Sequence, residues 1–365
     1  MTASDFDPQK FNRIYGTQVD AARLNFQRAP RLPGMKNGAQ FAHIQSGYFQ
    51  RYCRELAPHF DICISGYNLI DFGRPGIQLI GDYTWSEELR RELDPDADLR
   101  GRHRNHLIRR LYLSLGDWLR GDRSRPLHAR GDMVLANSSW TREILASNKL
   151  GLNDCPVVFP PVMYVPAGGT DAAEEVARQP YSFACLGRIT PEKRIESIIR
   201  ILARVREAGY PVTLDIAGVA DDQTYGESIT RLAESHGEWI RLRGFLASAE
   251  RDALLASTAF GLHARPAEAF GIAVAEMAGS GCIPFVPDCG GPAEIVDDPA
   301  LRFSTETEAV EKILAVLAQP ESHDTLRRSL SESMSRYRPE QFMVSFLDQV
   351  ERFLEQSLAE ERSAA

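Results

Sequence analysis

The sequence predicts an α/β protein built from two doubly wound domains. From residue 181 onward, short apolar or β-branched runs alternate with longer stretches of helical periodicity, which is typical of parallel βαβ units. The first half of the 365-residue chain repeats this alternation less regularly. With 43% hydrophobic residues, a chain of this length can form two domains that each bury a core.

The second half of the chain contains the more regular alternation. The run at 181–187 predicts a strand, and the helical pattern that follows it ends at Gly209. Five apolar residues share one face of that helix: Ile195, Ile198, Ile199, Leu202 and Val205. Further strands are predicted at 212–218, 239–245, 259–264 and 282–287, with helices at 226–236, 248–257 and 270–280. Residues 180–338 are therefore predicted to form one domain.

Residues 1–170 are predicted to form the other domain. Its strands are expected at 61–67, 76–82, 132–138 and 157–162. The small and acidic residues at 165–180 have the composition of a linker. The last segment, 339–365, contains a helical pattern from Gln341 to Leu358 with an apolar stripe, so this helix must pack against another surface.

Composition narrows the classes of partner. A formal net charge of -8 and a pI near 5.6 argue against nucleic-acid binding and favour small molecules or glycans. The six cysteines show no CxxC spacing, and no apolar run reaches the roughly 18 residues of a spanning helix, so a cytoplasmic protein is expected. His103 and His106 lack a third ligand at suitable spacing, so neither a metal site nor another cofactor is expected.

The strongest signal for chemistry lies between His263 and Val296. Glu268 and Glu276 are eight residues apart around a helix start expected near Phe270, so both carboxylates could face one ligand. The backbone N–H groups of three residues at this helix start could bind a phosphate: Phe270, Gly271 and Ile272. Taken alone, Glu268 is better interpreted as a helix-start carboxylate and Glu276 as a solvated surface residue. The apolar neighbours of Glu276 favour a function.

Two further loops follow predicted strands at the edge where open α/β sheets bind ligands. Gly290 and Gly291 form a turn after strand 282–287 that could hold the transferred group. Arg188 and Lys193 lie on the loop after strand 181–187, where two cations could bind a diphosphate and neutralise a leaving group without a metal. Solvated basic residues are the alternative, but cations oppose the dipole at a helix start, which favours a nearby anion.

The segments LGRITPEKR, EAFGIAVAE and CGGPAEIV resemble glycosyltransferase family four, the group 1 enzymes of GT-B fold. ANSSWTREI and VVFPPV are similar to segments that close the N-terminal domain in this family, particularly in polysaccharide enzymes and lipid-linked oligosaccharide mannosyltransferases. The resemblance covers roughly residues 130–300. It implies two Rossmann-like domains that face a cleft, a donor site in 180–338, an acceptor side in 1–170 and a final helix that crosses back to the first domain.

The resemblance also implies an activity and residue roles. The chain would move a hexose, with retention, from a GDP- or UDP-linked donor to a glycan or lipid-linked saccharide. Arg188 and Lys193 would bind the diphosphate, Glu276 the ribose and Glu268 the transferred sugar. Backbone contacts would come from Phe270, Gly271 and Ile272. The departing diphosphate would deprotonate the acceptor, so no covalent nucleophile is required.

The sequence departs from the family pattern in two places. The family opens with a strand and a glycine-rich loop, whereas this chain starts at DFDPQKFNRIYGT, so the first βαβ portion is expected to be missing. Where relatives carry a histidine near the sugar, this chain has Gly81 and Asp82. Asp82 could replace that histidine, but a turn cap is the favoured interpretation.

Three alternatives stay open. The arginine-rich segment 100–130 surrounds an apolar run, which would suit either a peripheral membrane contact or an ordinary solvated helix. The fold would also suit a sugar-nucleotide epimerase, although no acid–base pair is identifiable. A catalytically inactive sugar-nucleotide-binding subunit would explain why the first βαβ portion is expected to be missing. The presence of Glu268, Arg188 and Lys193 argues against a loss of catalytic residues.

Overall fold

The computed structural model describes residues 7–15, 17–29, 41–67, 69–83, 87–93, 107–121, 129–147, 152, 155–166 and 177–364. The chain divides into two compact units. The first comprises Met1–Asn12, Thr17–Val158 and Ser345–Ala365, and the second comprises Arg13–Gly16 and Phe159–Val344. His103 and His106 lie outside the described residues.

The first 158 residues contain a small parallel sheet with the order β1-β2-β3. Its strands are β1 (Ile64–Ser65), β2 (Ile77–Ile80) and β3 (Met133–Ala136). The helices are α1 (Pro8–Tyr15), α2 (Ala42–Leu56), α3 (Glu87–Leu93), α4 (Leu107–Arg120) and α5 (Ser139–Ser147). Parallel strands joined through helices confirm the predicted α/β class for this half.

Helices α2 and α4 pack closely because two glycines meet. A Cβ placed on Gly47 would lie 2.2 Å from the carbonyl oxygen of Gly116, and one placed on Gly116 would lie 2.2 Å from a ring carbon of His43. The imidazole of His43 also contacts Asp117, with 2.8 Å between Nε2 and Oδ1. Gly116 and Asp117 therefore lie on the face of α4 that packs against α2.

The second unit is built on a six-stranded parallel sheet with the order β6-β5-β4-β7-β8-β9. Its strands are β4 (Gln179–Leu186), β5 (Thr213–Ala217), β6 (Ile240–Gly244), β7 (Thr258–Leu262), β8 (Ile283–Pro287) and β9 (Arg302–Phe303). The chain moves outward from β4 to β6 and then returns to place β7 beside β4. This order is that of a dinucleotide-binding sheet, so the β4–β7 junction is its topological switch point.

Helices cover this sheet, as the sequence pattern predicts. They are α6 (Ile195–Glu207), α7 (Gln223–His236), α8 (Ser248–Ser257), α9 (Ile272–Gly279), α10 (Gly291–Ile295), α11 (Glu306–Leu317) and α12 (His323–Ser333), and α13 (Pro339–Ala364) follows them. The predicted stripe of α6 is buried, with Ile198, Leu202 and Val205 at most 1% exposed. Phe183, Phe260 and Phe285 line up across three strands, with 5.0 Å between the first two ring centroids.

The prediction of a strand at 157–162 is wrong. Val157 makes an isolated bridge to Ala136, and no strand continues beyond it. Pro160 and Pro161 carry no N–H group, so they cannot donate to a sheet ladder. The buried side chain of Val162 instead packs in the core of the second unit.

Candidate active site

The loops after β4 and β7 meet at the switch point of the second sheet. The first loop contains a 3₁₀ turn, Pro191–Lys193, and ends at Arg194 in the left-handed region with φ of 50°. Gly218 lets the loops after β4 and β5 approach, because a Cβ there would lie 1.7 Å from the carbonyl oxygen of Gly187. These backbone constraints hold Lys193 above the carboxyl ends of the strands.

Lys193 and Glu268 form a largely buried ion pair. Nζ of Lys193 donates to Oε2 of Glu268 at 2.5 Å, and the two side chains are 19% and 14% exposed. Nη1 of Arg265 lies 3.4 Å from the other carboxylate oxygen. Burial by itself would raise the pKa of Glu268, but Lys193 and then Arg265 outweigh it and lower that pKa to about 2. Glu268 is therefore ionised at neutral pH.

His263 lies beside Glu268 and is uncharged. Burial first, and then the charge of Lys193, lower the pKa of His263 to about 3. Its Nε2 is 3.8 Å from Oε2 of Glu268 and has no hydrogen-bond partner among the described residues. Sequence reasoning used His263 only as the start of a motif, although a histidine at the end of an apolar strand was a usable signal.

Glu276 belongs to a different ion pair. Nη1 of Arg251, on α8, donates to Oε1 of Glu276 at 2.7 Å. Burial raises the pKa of Glu276 to about 7, which Arg251 partly counteracts and Asp252 reinforces. The two glutamates of the motif thus have separate cationic partners. Arg251 was missed, because nothing in its helical pattern distinguishes it from a solvated arginine.

Helix α9 begins two residues later than expected. Gly271 is its N-cap, with φ of 102°, and the first helical residue is Ile272, so the expected start near Phe270 is wrong. The side chain of Phe270 is buried against Phe159 and Tyr337, which holds this residue in the loop. Ile272 is exposed at the helix start. The N–H groups that lead α9 are those of Ile272 and its successor.

Gly290 and Gly291 bring a third loop against the Glu268 segment. The N–H of Gly291 donates to the carbonyl oxygen of Glu268 at 2.8 Å. A Cβ on Gly290 would lie 2.7 Å from that same oxygen, and one on Gly291 would lie 2.4 Å from Cα of Phe270. These glycines therefore permit close packing of two backbones, which positions Glu268.

Arg188 stands apart from the buried pair. Its Nη1 contacts Oδ2 of Asp221 at 2.6 Å, and its side chain is 66% exposed. The anions beside the two predicted cations are thus carboxylates, Asp221 for Arg188 and Glu268 for Lys193. In the first unit, Oδ1 of Asp82 accepts the N–H of Tyr83 at 2.6 Å, in keeping with the interpretation of Asp82 as a turn cap.

Two kinds of feature are absent from the part of the chain that the structure describes. No group of three or more His, Cys, Asp or Glu side chains in the described ranges could hold a metal ion. Among the helices that the structure describes, none is long and apolar enough to cross a membrane.

Comparison with known proteins identifies a family match within the second unit and relatives of a larger part of the chain. Residues 170–336 match the family "Glycosyl transferases group 1". The GDP-Man:Man(3)GlcNAc(2)-PP-Dol alpha-1,2-mannosyltransferase of Homo sapiens is 28% identical over 239 residues, which is 60% of this chain and 48% of that protein. Its Dictyostelium discoideum counterpart is 24% identical over 255 residues, which is 64% of this chain and 50% of that protein. The chain spans about half the length of these curated relatives.

Solved structures of similar architecture cover more of the chain. Sucrose-phosphate synthase from Thermosynechococcus elongatus has a TM-score of 0.65 at 14% identity. The match covers 90% of this chain and 83% of the synthase chain. WaaG, a glycosyltransferase involved in lipopolysaccharide biosynthesis, has a TM-score of 0.58 at 14% identity, with coverage of 88% and 85%. These likenesses confirm the predicted GT-B fold.

Proposed function

We propose that this chain is a retaining, metal-independent hexosyltransferase, because residues 170–336 match the group 1 glycosyl transferases. It takes a hexose from a nucleotide-diphosphate sugar and transfers it to a glycan or lipid-linked saccharide. The observation that carries the proposal is the ion pair between Lys193 and ionised Glu268 at the switch point of the sheet. The second unit is the donor domain and the first unit the acceptor domain.

The donor diphosphate binds beside the loop after β4. Lys193 supplies an ammonium group that is already held over the strand ends, and Arg188 supplies an exposed guanidinium on the same loop. The N–H groups at the start of α9, beginning with Ile272, add backbone donors next to the left-handed cap at Gly271. This arrangement supplies positive charge from the chain itself, which supports a reaction without a metal.

The two glutamates bind the two sugars of the donor. Glu268 is ionised and accepts hydrogen bonds from hydroxyls of the transferred hexose, and Gly290 and Gly291 support its backbone. Glu276, about one turn into α9, accepts hydrogen bonds from hydroxyls of the ribose. The similarity to enzymes whose names include GDP-Man supports GDP-mannose as the first donor to test.

The reaction proceeds on one face of the sugar. The bond from the anomeric carbon to the diphosphate oxygen breaks, and the acceptor oxygen bonds to that carbon from the same side. The proton of the acceptor hydroxyl passes to the departing phosphate oxygen. Lys193 and Arg188 stabilise the negative charge that grows on the diphosphate, which lowers the barrier without a covalent nucleophile.

The proposal is tested by calorimetric titration with UDP, GDP and ADP, followed by assays with sugars linked to the nucleotide that binds. Micromolar binding with release of an α-configured sugar product would support a retaining transferase. Activity that persists undiminished in excess chelator would support the metal-independent form. Binding without turnover would indicate an inactive subunit, and accumulation of an epimer would indicate an epimerase. If none of the three nucleotides binds, the assignment of the donor site is wrong.

Of the two acceptor classes, the lipid-linked one is favoured, and helix α4 would contact the membrane surface that presents it. Four large apolar residues on one face of α4 are exposed: Leu107, Leu111, Leu115 and Trp118. Trp118 is 73% exposed, although an indole normally gains by leaving water. Exposed Arg110 on the same helix adds a positive charge, as expected for an interfacial helix on anionic lipid.

Cosedimentation with vesicles tests this contact. The Leu111→Ser/Trp118→Ser variant should lose most binding to vesicles that contain anionic lipid, while its thermal unfolding stays unchanged. Leu354→Ser/Leu358→Ser, which alters exposed leucines of α13, is the matched control and should bind as the original chain does. Equal binding of both variants would exclude α4 as the contact.

A further inference from the structure

We propose that Arg251 is a positioning residue for the donor, which holds the carboxylate of Glu276 in place for the ribose hydroxyls. This inference rests on the proposed function, in which Glu276 binds the ribose. Arg251 lies on α8, outside the motifs that predict the site. It acts through Glu276 and is not itself assigned a contact with the reacting atoms.

The guanidinium of Arg251 is fixed from several sides. Its Nε and Nη2 donate to Oδ1 of Asp252 at 3.2 and 3.0 Å, and Nη2 also lies 3.4 Å from the carbonyl oxygen of Met163. These contacts leave Nη1 directed at Glu276, at 2.7 Å. A planar fork held in this way loses little freedom when it binds a carboxylate.

Only one oxygen of Glu276 is occupied. Oε1 accepts from Arg251, and no described residue donates a hydrogen bond to Oε2. The side chains of Glu276 and Arg251 are 13% and 20% exposed, so both remain within reach of a ligand. Oε2 can therefore accept a hydroxyl while Arg251 keeps the carboxylate oriented, which is the arrangement that ribose recognition needs.

The charge of Arg251 controls how much of Glu276 is ionised near neutral pH. Burial raises the pKa of Glu276 to about 7, and the charges that act on it come from α8, with Arg251 lowering the pKa and Asp252 raising it. Without Arg251, burial and Asp252 would leave Glu276 protonated at neutral pH. A protonated carboxyl group is a weaker acceptor for hydroxyls than a carboxylate.

The test is calorimetric titration of a nucleoside diphosphate, GDP or UDP, into the full chain between pH 5.5 and 9. The affinity of the original chain should rise with pH through an inflection near 7, because the ionised form binds ribose. In Arg251→Gln the inflection should move upward by about one unit or more. About one tenth of Glu276 would then be ionised at pH 7 rather than half, which corresponds to about fivefold weaker binding. The affinities of the original chain and of Arg251→Gln should become equal at pH 9.

Two controls separate this role from a structural one. Arg251→Lys keeps a positive charge and should return the inflection toward that of the original chain. The matched 2′,3′-dideoxy nucleotide lacks the ribose hydroxyls, so Arg251→Gln should bind it as tightly as the original chain does. Weakening that is equal at every pH, or equal for both nucleotides, would overturn the inference. Failure of the original chain to bind any nucleoside diphosphate would instead overturn the proposed function.

Discussion

Nζ of Lys193 and Oε2 of Glu268 lie 2.5 Å apart, although 75 positions separate the two residues in the chain. The sheet order explains this contact, because β7 returns to lie beside β4 and their following loops then share one edge. The pair is charged and largely buried at the place where such sheets bind ligands.

Lys193→Met should destabilise the protein by about 2–3 kcal/mol, because it removes the closer of the two cations that face the buried Glu268 carboxylate and leaves Arg265 at 3.4 Å. Urea unfolding at neutral pH measures this loss. Arg200→Met is the matched control, since Arg200 and Glu306 are also 2.5 Å apart but more exposed, so it should cost less than about 1 kcal/mol. Equal losses in the two variants would show that burial of the Lys193–Glu268 pair has no energetic role.

His263 should make stability fall in mild acid. Its folded-state pKa is lowered to about 3, so below its ordinary value of 6.5 only the unfolded chain takes up the proton. The stabilising contribution is therefore present above pH 6.5 and is lost progressively as pH falls toward 3. Between pH 6.5 and 5.5 the original chain should lose about 1 kcal/mol more than His263→Asn does. Parallel pH profiles in urea unfolding would contradict a buried neutral imidazole.

Gly290→Ala should cost more stability than Gly209→Ala. Both glycines have positive φ, 79° and 99°, so both substitutions strain the backbone by about 1–2 kcal/mol. A Cβ on Gly209 meets nothing within 4 Å, whereas one on Gly290 meets the backbone of Glu268 and Pro266. We expect an additional loss of about 1–3 kcal/mol for Gly290→Ala, with weaker donor binding. Thermal and urea unfolding of the pair provide the comparison.

Arg188→Ala should separate binding from stability. Its ion pair with Asp221 is exposed, so removal should change the free energy of unfolding by less than about 0.5 kcal/mol. Because the Arg188 side chain no longer binds the diphosphate, nucleotide binding should weaken by about tenfold or more, which corresponds to about 1.4 kcal/mol. Asp221→Ala removes the same ion pair but keeps the cation, so its binding should be unchanged or tighter. Weakening in both variants alike would assign the effect to loop structure instead.

The elements of the second unit follow closely from sequence patterns. The strands predicted at 181–187 and 259–264 overlap β4 and β7, and the stripe of α6 is buried as expected. These predictions succeed because strand and helix periodicities are local consequences of burying one set of side chains. The same reasoning failed at 157–162, where the apolar pattern was right but Pro160 and Pro161 cannot donate to a ladder.

The candidate site was only partly predictable. Glu268, Glu276 and Lys193 follow from motifs, whereas the start of α9 at Ile272 goes with the left-handed backbone of Gly271 and a Phe270 packed against Phe159 and Tyr337. The sequence pattern does not identify the cationic partner of Glu276, since Arg251 resembles any other arginine on a helix. Partners across a fold depend on which loops meet, and that information is not local in the chain.

By itself, the sequence determined the α/β class, the order of elements in the second unit and the residue types that could bind a diphosphate sugar. Tertiary structure alone decided that Glu268 pairs with Lys193 and Glu276 with Arg251, and that one carboxyl group has its pKa lowered while the other has it raised. The physical reason is that hydrophobic periodicity acts over a few residues. Charge and burial act through space, between groups that only the folded sheet brings together.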